Sequence, residues 1–550
     1  MLIAQWSLKG SGRDGCGKHH GQMHNVEFVE GVDGQPGGAA YFNGIDSFIE
    51  VEDQAGLHFD DGDFTVTAWV KAPKHAHPVG DVLSKFDADA RRGFHLTVGG
   101  NSSGYSSVSD NRVVLFGMDN AVTGEWRDCG KPREDNTLIA GLVVYKNKLY
   151  ASMADALTNE EACKVYRYEG NGRWTDVGRV GKDPRTRSVQ AMIVHDGELY
   201  VGTGVWDWTK MYANLCGPTR LFRYVKDHEW VDCGAFGKGQ TTISLASYQG
   251  KIYTGDDRGQ CFSYDGKGNW EFCGQIGVGG HDDRLDSMTV WKERLYGCTH
   301  SDVYIYEGGR TWRRISQQPL MQTQLHKIHV HRGELLVGTW PDGKIIRYLG
   351  GEEWEDLGET GIDSSYKINE VNDLIAYNGK LYAGVIPKSE VFRFDGLHQW
   401  ENMAQLVDNA DWDVYDIETW CRIPCFATYG GLLYAGTSTC HGRASDNPDA
   451  NVGKVFSYEA GKCVSYDDDI GTEWAHIAAV RSNNSLQLYV NGELVSEKSD
   501  FSSQDYDLSN KISLKIGAGE HHYFKGALSD LRIYNNALSA DDIRKIREGR

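Results

Sequence analysis

A tryptophan recurs along the middle of this chain at intervals of 40 to 56 residues. The seven positions are Trp126, Trp174, Trp230, Trp270, Trp312, Trp354 and Trp400. Several of them follow an aromatic residue, an acid and a glycine, as in Tyr168-Glu169-Gly170. Repeats of this length are typical of arrays in which each repeat is one supersecondary unit and neighbouring units share a core.

A second repeated pattern lies between the tryptophans: an apolar segment, a two-residue turn and a short strand. The turn is Asp196-Gly197 in residues 191–203 and Asn378-Gly379 in residues 374–384. Asp-Gly and Asn-Gly between β-forming residues are strong hairpin signals, because both turn residues adopt positive φ. Each unit therefore supplies four short strands, which is one blade of a β-propeller.

The two ends of the repeat array are unequal. A tryptophan segment at Trp126 precedes the first of seven hairpins, and the last hairpin is followed by 454–458 without a tryptophan strand. Pairing the Trp126 strand with 454–458 completes a seventh blade and leaves no open sheet edge. We therefore predict a closed seven-bladed propeller over residues 119–462.

The flanks alternate apolar and polar residues in the manner of a β-sandwich. Residues 39–70 carry Phe64-Thr-Val-Thr-Ala-Trp-Val, and 474–534 carry the Leu488-Tyr-Val-Asn-Gly hairpin. These segments resemble the two halves of a laminin-G-like, concanavalin-like jelly roll. The predicted fold class is all-β, a seven-bladed β-propeller inserted into a jelly-roll β-sandwich. Residues 1–118 form its first half and 463–550 its second, because a closed ring brings its own ends together and can be inserted into a host domain.

Composition excludes several classes of protein. The net charge of −20 argues against a general nucleic-acid binder, which needs a basic surface. No apolar run reaches the length of a membrane span. The first ten residues lack the charged and apolar regions of a signal peptide, so we expect a cytoplasmic protein or a trimmed mature form. No cysteines occur in a Cys-x-x-Cys pair, and their spacing predicts no zinc site.

A shared aromatic position aligns the seven inner strands: Tyr145, His195, Tyr248, Trp291, His331, Tyr377 and Tyr429. We interpret His195 and His331 in this column as packed aromatic residues. Polar residues occupy the columns five and seven positions upstream, where the strands begin: Arg284, Asp286, His326, Glu370, Asn372 and Arg422. Because side chains alternate between the faces of a strand, these residues are predicted to meet at the channel mouth.

Loops add further candidates at the same end of the propeller. The second strands of three blades end in equivalent positions at Asp257, His300 and Trp340, and Trp420 closes the acidic, aromatic loop that starts at Trp412. Sugars present apolar CH faces, so aromatic rings interleaved with charged groups suit a glycan. A solvated channel with ordinary ion pairs, and tryptophans that only pack between blades, are the alternatives.

Three functional classes fit these residues. In a polysaccharide lyase, Arg284, Arg422 and Asn372 neutralise a uronate carboxylate and His326 or His300 takes the C5 proton. The architecture resembles that of seven-bladed propeller lyases acting on uronate-rich polysaccharides, although no catalytic motif matches. In a glycoside hydrolase, Asp286 pairs with Glu370 or Asp257. The third class is a glycan-binding or protein-binding module without catalysis.

We therefore expect a carbohydrate-directed protein whose working module is the propeller. A lyase with catalytic His326, His300 and Asp286 is favoured over a hydrolase, with Arg284, Arg422, Asn372, Glu370, Trp340 and Trp420 binding substrate. The expected partner is a polysaccharide or oligosaccharide, and neither nucleic acid nor a membrane span is expected. The sequence specifies no cofactor, and calcium in the jelly roll is an option that only the family resemblance adds.

Overall fold

Two large sheets and a ring of seven blades make up the structure, a computed structural model. It describes the chain except residues 76–78, 101, 104–106, 135, 154–162, 206–218, 278, 280–282, 317–323, 363–367, 409–412, 414, 417–418, 440–450 and 550, and it describes 102–103 by their backbone alone. The predicted fold class is confirmed: the protein is nearly all β, with a seven-bladed propeller and a concanavalin-like domain.

Six blades are formed by four consecutive antiparallel strands each. Blades one and two contain β13 (Ile139–Tyr145), β14 (Lys148–Met153), β15 (Lys164–Gly170), β16 (Arg173–Arg179), β17 (Ser188–His195), β18 (Glu198–Gly204), β19 (Thr219–Lys226) and β20 (Glu229–Phe236). Blades three and four contain β21 (Thr242–Tyr248), β22 (Lys251–Asp256), β23 (Gln260–Tyr264), β24 (Trp270–Gln275), β25 (Ser287–Trp291), β26 (Arg294–Cys298), β27 (Val303–Gly308) and β28 (Thr311–Arg314). Blades five and six contain β29 (Gln324–His331), β30 (Glu334–Trp340), β31 (Lys344–Gly350), β32 (Glu353–Glu359), β33 (Glu370–Tyr377), β34 (Lys380–Ile386), β35 (Glu390–Gly396) and β36 (Gln399–Gln405).

Blade seven is closed by a strand from the other end of the repeat array. It contains β37 (Cys421–Tyr429), β38 (Leu432–Thr439), β39 (Val455–Tyr458) and β12 (Trp126–Asp128). Trp126 pairs with Tyr458 and Asp128 with Phe456 in the antiparallel register, and the rings of Trp126 and Tyr458 stack with centroids 5.0 Å apart. The predicted pairing of the Trp126 strand is confirmed, so this blade joins the first and last strands of the ring.

The repeated tryptophans link neighbouring blades. The indole Nε1 of Trp174 donates to Cys129 O at 2.9 Å, and Trp312 Nε1 donates to Cys273 O at 3.0 Å. Trp270 and Trp400 make the same bond to Cys233 O and Leu357 O. In these four blades the tryptophan satisfies a backbone carbonyl of the preceding blade, which is one reason why the residue recurs; Nε1 of Trp126, Trp230 and Trp354 has no partner among the described residues.

The sandwich is assembled from both ends of the chain. Its first-half strands are β1 (Leu2–Trp6), β2 (Gln22–His24), β3 (Glu27–Val29), β4 (Ala39–Asn43), β5 (Phe48–Val51), β6 (Phe64–Lys71), β7 (Gly80–Asp87), β8 (Arg92–Gly99) and β11 (Val113–Asn120). Its second-half strands are β40 (Lys462–Tyr466), β41 (Ala475–Ser482), β42 (Ser485–Val490), β43 (Glu493–Lys498), β44 (Leu514–Ile516) and β45 (Lys525–Tyr534).

Both sheets of the sandwich interleave strands of the two halves. One sheet has the order β3-β4-β45-β6-β41-β42-β43, with β1 also paired to β45, and the other has the order β2-β5-β44-β7-β8-β11-β40. The core between them joins Trp6, Phe64 and Phe116 of the first half to Leu488 and Leu531 of the second. Each half alone leaves its apolar strand faces uncovered, so we propose 1–118 and 463–550 as one domain with 119–462 inserted.

A small hairpin of the sandwich enters the propeller. Strands β9 (Ser102–Ser103) and β10 (Ser107–Val108) lie between β8 and β11, and β10 pairs in parallel with inner strand β21, with Val108 opposite Ala246. The backbone of Asp110 bonds to Val194 O near the end of β17. The protein's own chain therefore occupies the channel from the sandwich side, and the other end of the inner strands carries the mouth.

Helices are few in the part of the chain that the structure describes. Helix α1 (Ala540–Arg547) begins with a capping box in which Ser539 and Asp542 bond reciprocally. Two 3-10 turns lie at Ala55–Leu57 and Ser503–Asp505. None of the described helices is long and apolar enough to cross a membrane.

Candidate functional site

The inner strands of all seven blades run in the same sense, from the mouth toward the sandwich. Each of them ends at its residue of the aromatic column: Tyr145, His195, Tyr248, Trp291, His331, Tyr377 or Tyr429. Residues five and seven positions earlier therefore lie at the opposite end, where the strands begin. This common register is what brings polar residues of different blades to one mouth.

Arg284, Asp286 and His300 form a contiguous group in blade four. Arg284 Nε donates to Asp286 Oδ1 at 2.5 Å, and His300 Nε2 lies 2.9 Å from Asp286 Oδ2. Asp286 comes directly before β25, and His300 follows β26, its partner in the blade hairpin. The hairpin therefore places the imidazole beside the carboxylate, and Asp286 is completely buried.

His326 of blade five lies next to this group. Its ring centroid is 5.2 Å from that of His300, and its Nε2 lies 2.9 Å from Gln324 Oε1. The same nitrogen, His326 Nε2, is 3.7 Å from Glu370 Oε1 of blade six, and Asn372 Nδ2 donates to the same Glu370 oxygen. Three adjacent blades thus contribute to one buried polar cluster.

Burial and charge set the protonation of the cluster. Burial lowers the pKa of His326 to about 4, even though Glu370 and Asp286 act in the opposite direction, so the imidazole is neutral at neutral pH. Burial also raises the pKa of Asp286, but the charges of Arg284 and His300 outweigh that effect and bring it to about 2. The site therefore presents a neutral imidazole next to a permanently ionised carboxylate.

The buried atoms of the cluster without a hydrogen-bond partner among the described residues include His326 Nδ1 and Asn372 Oδ1. A buried polar atom without a partner is costly, so such atoms often face a water, an ion or a ligand. Donor atoms of Asp286, His300 and His326 also lie within 4.8 Å of one another. Two imidazoles and one carboxylate are ligands that suit a divalent transition metal.

Three further predicted residues lie outside these contacts, each in a different place. Arg422 is buried at the start of β37 in the blade next to Glu370 and Asn372. Trp340, half-buried at the end of β30, pairs across the hairpin with Gln324 and so lies at the rim. Asp257 accepts the backbone N–H groups of Gln240 and Thr241, which is a structural role.

Trp420 does not offer a platform for a sugar. Its side chain is buried against Ile368 and Ile386, and its Nε1 donates to Asp413 O at 3.1 Å. A ring that fills an apolar cluster has no open face, so we leave Trp420 out of the proposed binding surface. Trp412, at the start of the same loop, lies outside the described residues.

Two features of the site were not predicted as functional. Gln324 lies in the same polar column as Arg284 but was not selected, although its contact with His326 determines which ring nitrogen is occupied. Below the mouth, Lys327 Nζ lies 2.8 Å from Asp373 Oδ1, and both side chains are buried. In the sequence, Lys327 directly follows His326, and Asp373 directly follows Asn372. Because side chains alternate between the two faces of a strand, this spacing places Lys327 and Asp373 in the interior of their blades.

Comparisons with known proteins fit this architecture. Residues 407–544 match the family model of the Concanavalin A-like lectin/glucanases superfamily, about a quarter of the chain. The match begins ahead of blade seven and runs through the second half of the sandwich. No significant match to a curated protein sequence is found.

Among solved structures, a catalytically inactive virginiamycin B lyase from Staphylococcus aureus is 10% identical, with a TM-score of 0.45 over 61% of this chain and 99% of that one. A GH74 xyloglucanase from Xanthomonas campestris is 13% identical, with a TM-score of 0.39 over 65% of this chain and 59% of that one. Identities and TM-scores this low transfer no activity. The protein thus combines a seven-bladed β-propeller with a concanavalin-like domain of the laminin-G type, a pairing that fits a carbohydrate-related protein.

Proposed function

We propose that the protein degrades a uronate-containing polysaccharide by β-elimination at the propeller mouth. The observation that carries this proposal is the state of His326. If Nε2 donates its proton to Gln324 Oε1, the ring is in the tautomer whose Nδ1 carries a lone pair, and Nδ1 has no partner among the described residues. A neutral imidazole with an available nitrogen is a suitable general base.

The proposed reaction uses the charges around this base. His326 Nδ1 removes the C5 proton of the uronate, and the electrons of the C5–H bond form the C4–C5 double bond. The C4–O bond breaks, and the glycosidic oxygen leaves with its electron pair and the chain that it carries and takes up a proton from water. Arg284 and Arg422 are the cations that would stabilise the negative charge developing on the uronate carboxylate. Asp286 holds Arg284 and His300 in place through its two oxygens.

A hydrolytic mechanism has less support from the same residues. It requires one carboxylic acid that is protonated before reaction, which means a raised pKa. Asp286 has its pKa lowered to about 2, and Asp257 is engaged by two backbone N–H groups.

His326 Nδ1 is covered in this structure, so a substrate must shift the rim of the mouth to reach it, as is common for sites described without substrate.

The experiment is a panel of neutral and uronate-containing polysaccharides incubated with the full chain. Each reaction is followed by the ultraviolet absorbance of the unsaturated product and, in parallel, by the release of reducing ends. A lyase gives both signals on uronate polymers and neither on neutral ones. Reducing ends without absorbance would replace the proposal with hydrolysis, and binding without either signal would replace it with a recognition module.

A further inference from the structure

Three donor side chains from distant segments meet where the sandwich joins blade two. His75 Nδ1 lies 3.2 Å from Asp110 Oδ2, and His195 Nδ1 lies 3.1 Å from the same oxygen. The donor atoms of all three lie within 4.8 Å of one another. This cluster is separate from the mouth, because His195 ends its inner strand whereas the mouth residues begin theirs.

The fold assembles the cluster from three elements. His75 follows sandwich strand β6, Asp110 follows the hairpin that enters the channel, and His195 is the last residue of β17. The aromatic column of the inner strands predicts that His195 is a packed aromatic residue. It is buried and stacked on His75, with centroids 5.8 Å apart, but its Nδ1 also faces the carboxylate.

The spacing of the donor atoms suits a tetrahedral metal. Zinc bonds to imidazole nitrogen and carboxylate oxygen of about 2.0–2.1 Å place neighbouring ligand atoms roughly 3.3 Å apart, close to the two distances here. Asp196 Oδ1 lies 3.8 Å from His75 Nδ1 and 3.1 Å from Lys74 Nζ, so it would have to leave Lys74 to become a fourth donor. Two imidazoles and one or two carboxylates are a ligand set that zinc accepts.

Ser247 belongs to the same cluster. Its Oγ donates to Asp110 Oδ2 at 2.9 Å and lies 2.8 Å from His195 Nδ1, so three polar groups surround one carboxylate oxygen. His75 also adopts a left-handed backbone with φ of 58°, which is uncommon for a non-glycine residue and turns its ring into the cluster.

We propose that His75, Asp110 and His195 bind one zinc ion, with Asp196 or a water as the fourth ligand. The ion would fasten the sandwich, the channel hairpin and blade two to one another. This proposal is independent of the lyase activity, because none of its ligands lies at the mouth.

The test uses the full chain, stripped with a chelator and then titrated with zinc chloride or, as a spectroscopic probe, cobalt chloride. His75→Asn removes one imidazole at a partly exposed position and keeps a residue that tolerates left-handed backbone. Asp110→Asn removes the shared anion. His398→Asn is the matched control, because His398 is exposed, has a left-handed φ of 65° as His75 does, and lies in none of the donor clusters.

Wild type and His398→Asn should show the visible absorption of four-coordinate cobalt, and zinc should raise their melting temperatures, because a metal that binds the folded state stabilises it. His75→Asn should bind one zinc equivalent fewer than wild type and show a smaller cobalt absorption and a smaller melting shift. Equal zinc equivalents and equal melting shifts in wild type and His75→Asn would overturn the proposal and leave a hydrogen-bonded network. His75→Asn decides the matter even if Asp110→Asn fails to fold.

Discussion

His95 Nε2 of the sandwich lies 2.8 Å from Asn378 Oδ1, at the hairpin turn of blade six. The Asn378 amide also donates to the carbonyls of Met118 and Ala460, which flank the points where the chain enters and leaves the propeller. All the polar atoms of the buried Asn378 side chain are therefore hydrogen-bonded at the junction of the propeller and the sandwich. These hydrogen bonds make the junction specific.

Removing this side chain should weaken the whole protein. Asn378→Gly leaves the His95 donor and two carbonyls unpaired, and we expect the free energy of unfolding in urea to fall by about 1–3 kcal/mol. Asn378→Ala should cost roughly 1–2 kcal/mol more, because residue 378 has a left-handed φ of 44° that glycine tolerates and alanine does not. The exposed Gln504→Ala serves as the control. Wild-type stability in Asn378→Gly would show that the bond is dispensable.

The contribution to stability of the hydrogen bond between a repeated tryptophan and the preceding blade can be measured with a matched pair of variants. Trp312 Nε1 donates to Cys273 O, whereas Trp354 Nε1, at the same place in the next blade, has no partner among the described residues. Replacing each by phenylalanine removes similar ring area, but only Trp312→Phe leaves a carbonyl unpaired. We expect it to lower the free energy of unfolding by about 0.5–1.5 kcal/mol more than Trp354→Phe does. Equal losses of the free energy of unfolding in the two variants would show that this hydrogen bond is not a reason why the tryptophan recurs.

Asp256 should make stability depend on pH. Burial raises its pKa to about 7, and the charge of Asp257 acts in the same direction, whereas an unfolded aspartate titrates near about 3.9. Between these values the folded chain keeps a proton that the unfolded chain has released, so this group destabilises the protein as pH rises from about 4 to about 7.

Asp256→Asn abolishes that titration and keeps an oxygen that can accept from the N–H groups of Arg258 and Gln260. Its stability relative to wild type should increase by about 2–4 kcal/mol between pH 4 and pH 8, measured by denaturant unfolding at each pH. The exposed Glu353→Gln should show no such increase. A difference that stays constant with pH, or declines as pH rises, would contradict the assignment.

Because the two halves of the sandwich form one proposed domain, we predict that a shortened protein without the propeller folds. Met118 and Lys462 are direct partners in the antiparallel pair of β11 and β40, so an Asn-Gly turn can join them in place of the propeller. We expect residues 1–118, Asn-Gly and 462–550 to form a soluble β-protein that unfolds cooperatively in urea, and residues 1–118 alone to remain unfolded. Cooperative unfolding of 1–118 alone would refute the single-domain proposal.

The propeller could be predicted because its signals are local sequence patterns. Features that depend on contacts between distant segments could not be predicted from the sequence. Two-residue turns and the aromatic column are properties of short segments, so they located the inner strands and the polar residues at their starts. The channel hairpin was missed because its Gly-Ser-rich stretch has no alternation, and its pairing partner Ala246 lies far along the chain. Trp420 resembled an exposed ring because a loop sequence does not indicate that Ile368 and Ile386 cover it. His195 gained a second role only through Asp110, which lies 85 residues away.

The most direct test of the proposed lyase is turnover of a uronate polymer by His326→Ala, followed by the ultraviolet absorbance of the unsaturated product. His329→Ala is the control, since it removes an imidazole three residues later on the same strand, toward the sandwich. Loss of the general base should lower kcat about 10²–10⁴-fold with little change in KM, and His329→Ala should stay near wild type. The wild-type rate should also fall as pH drops through about 4, where His326 becomes protonated. Wild-type kcat in a folded His326→Ala protein would contradict the account.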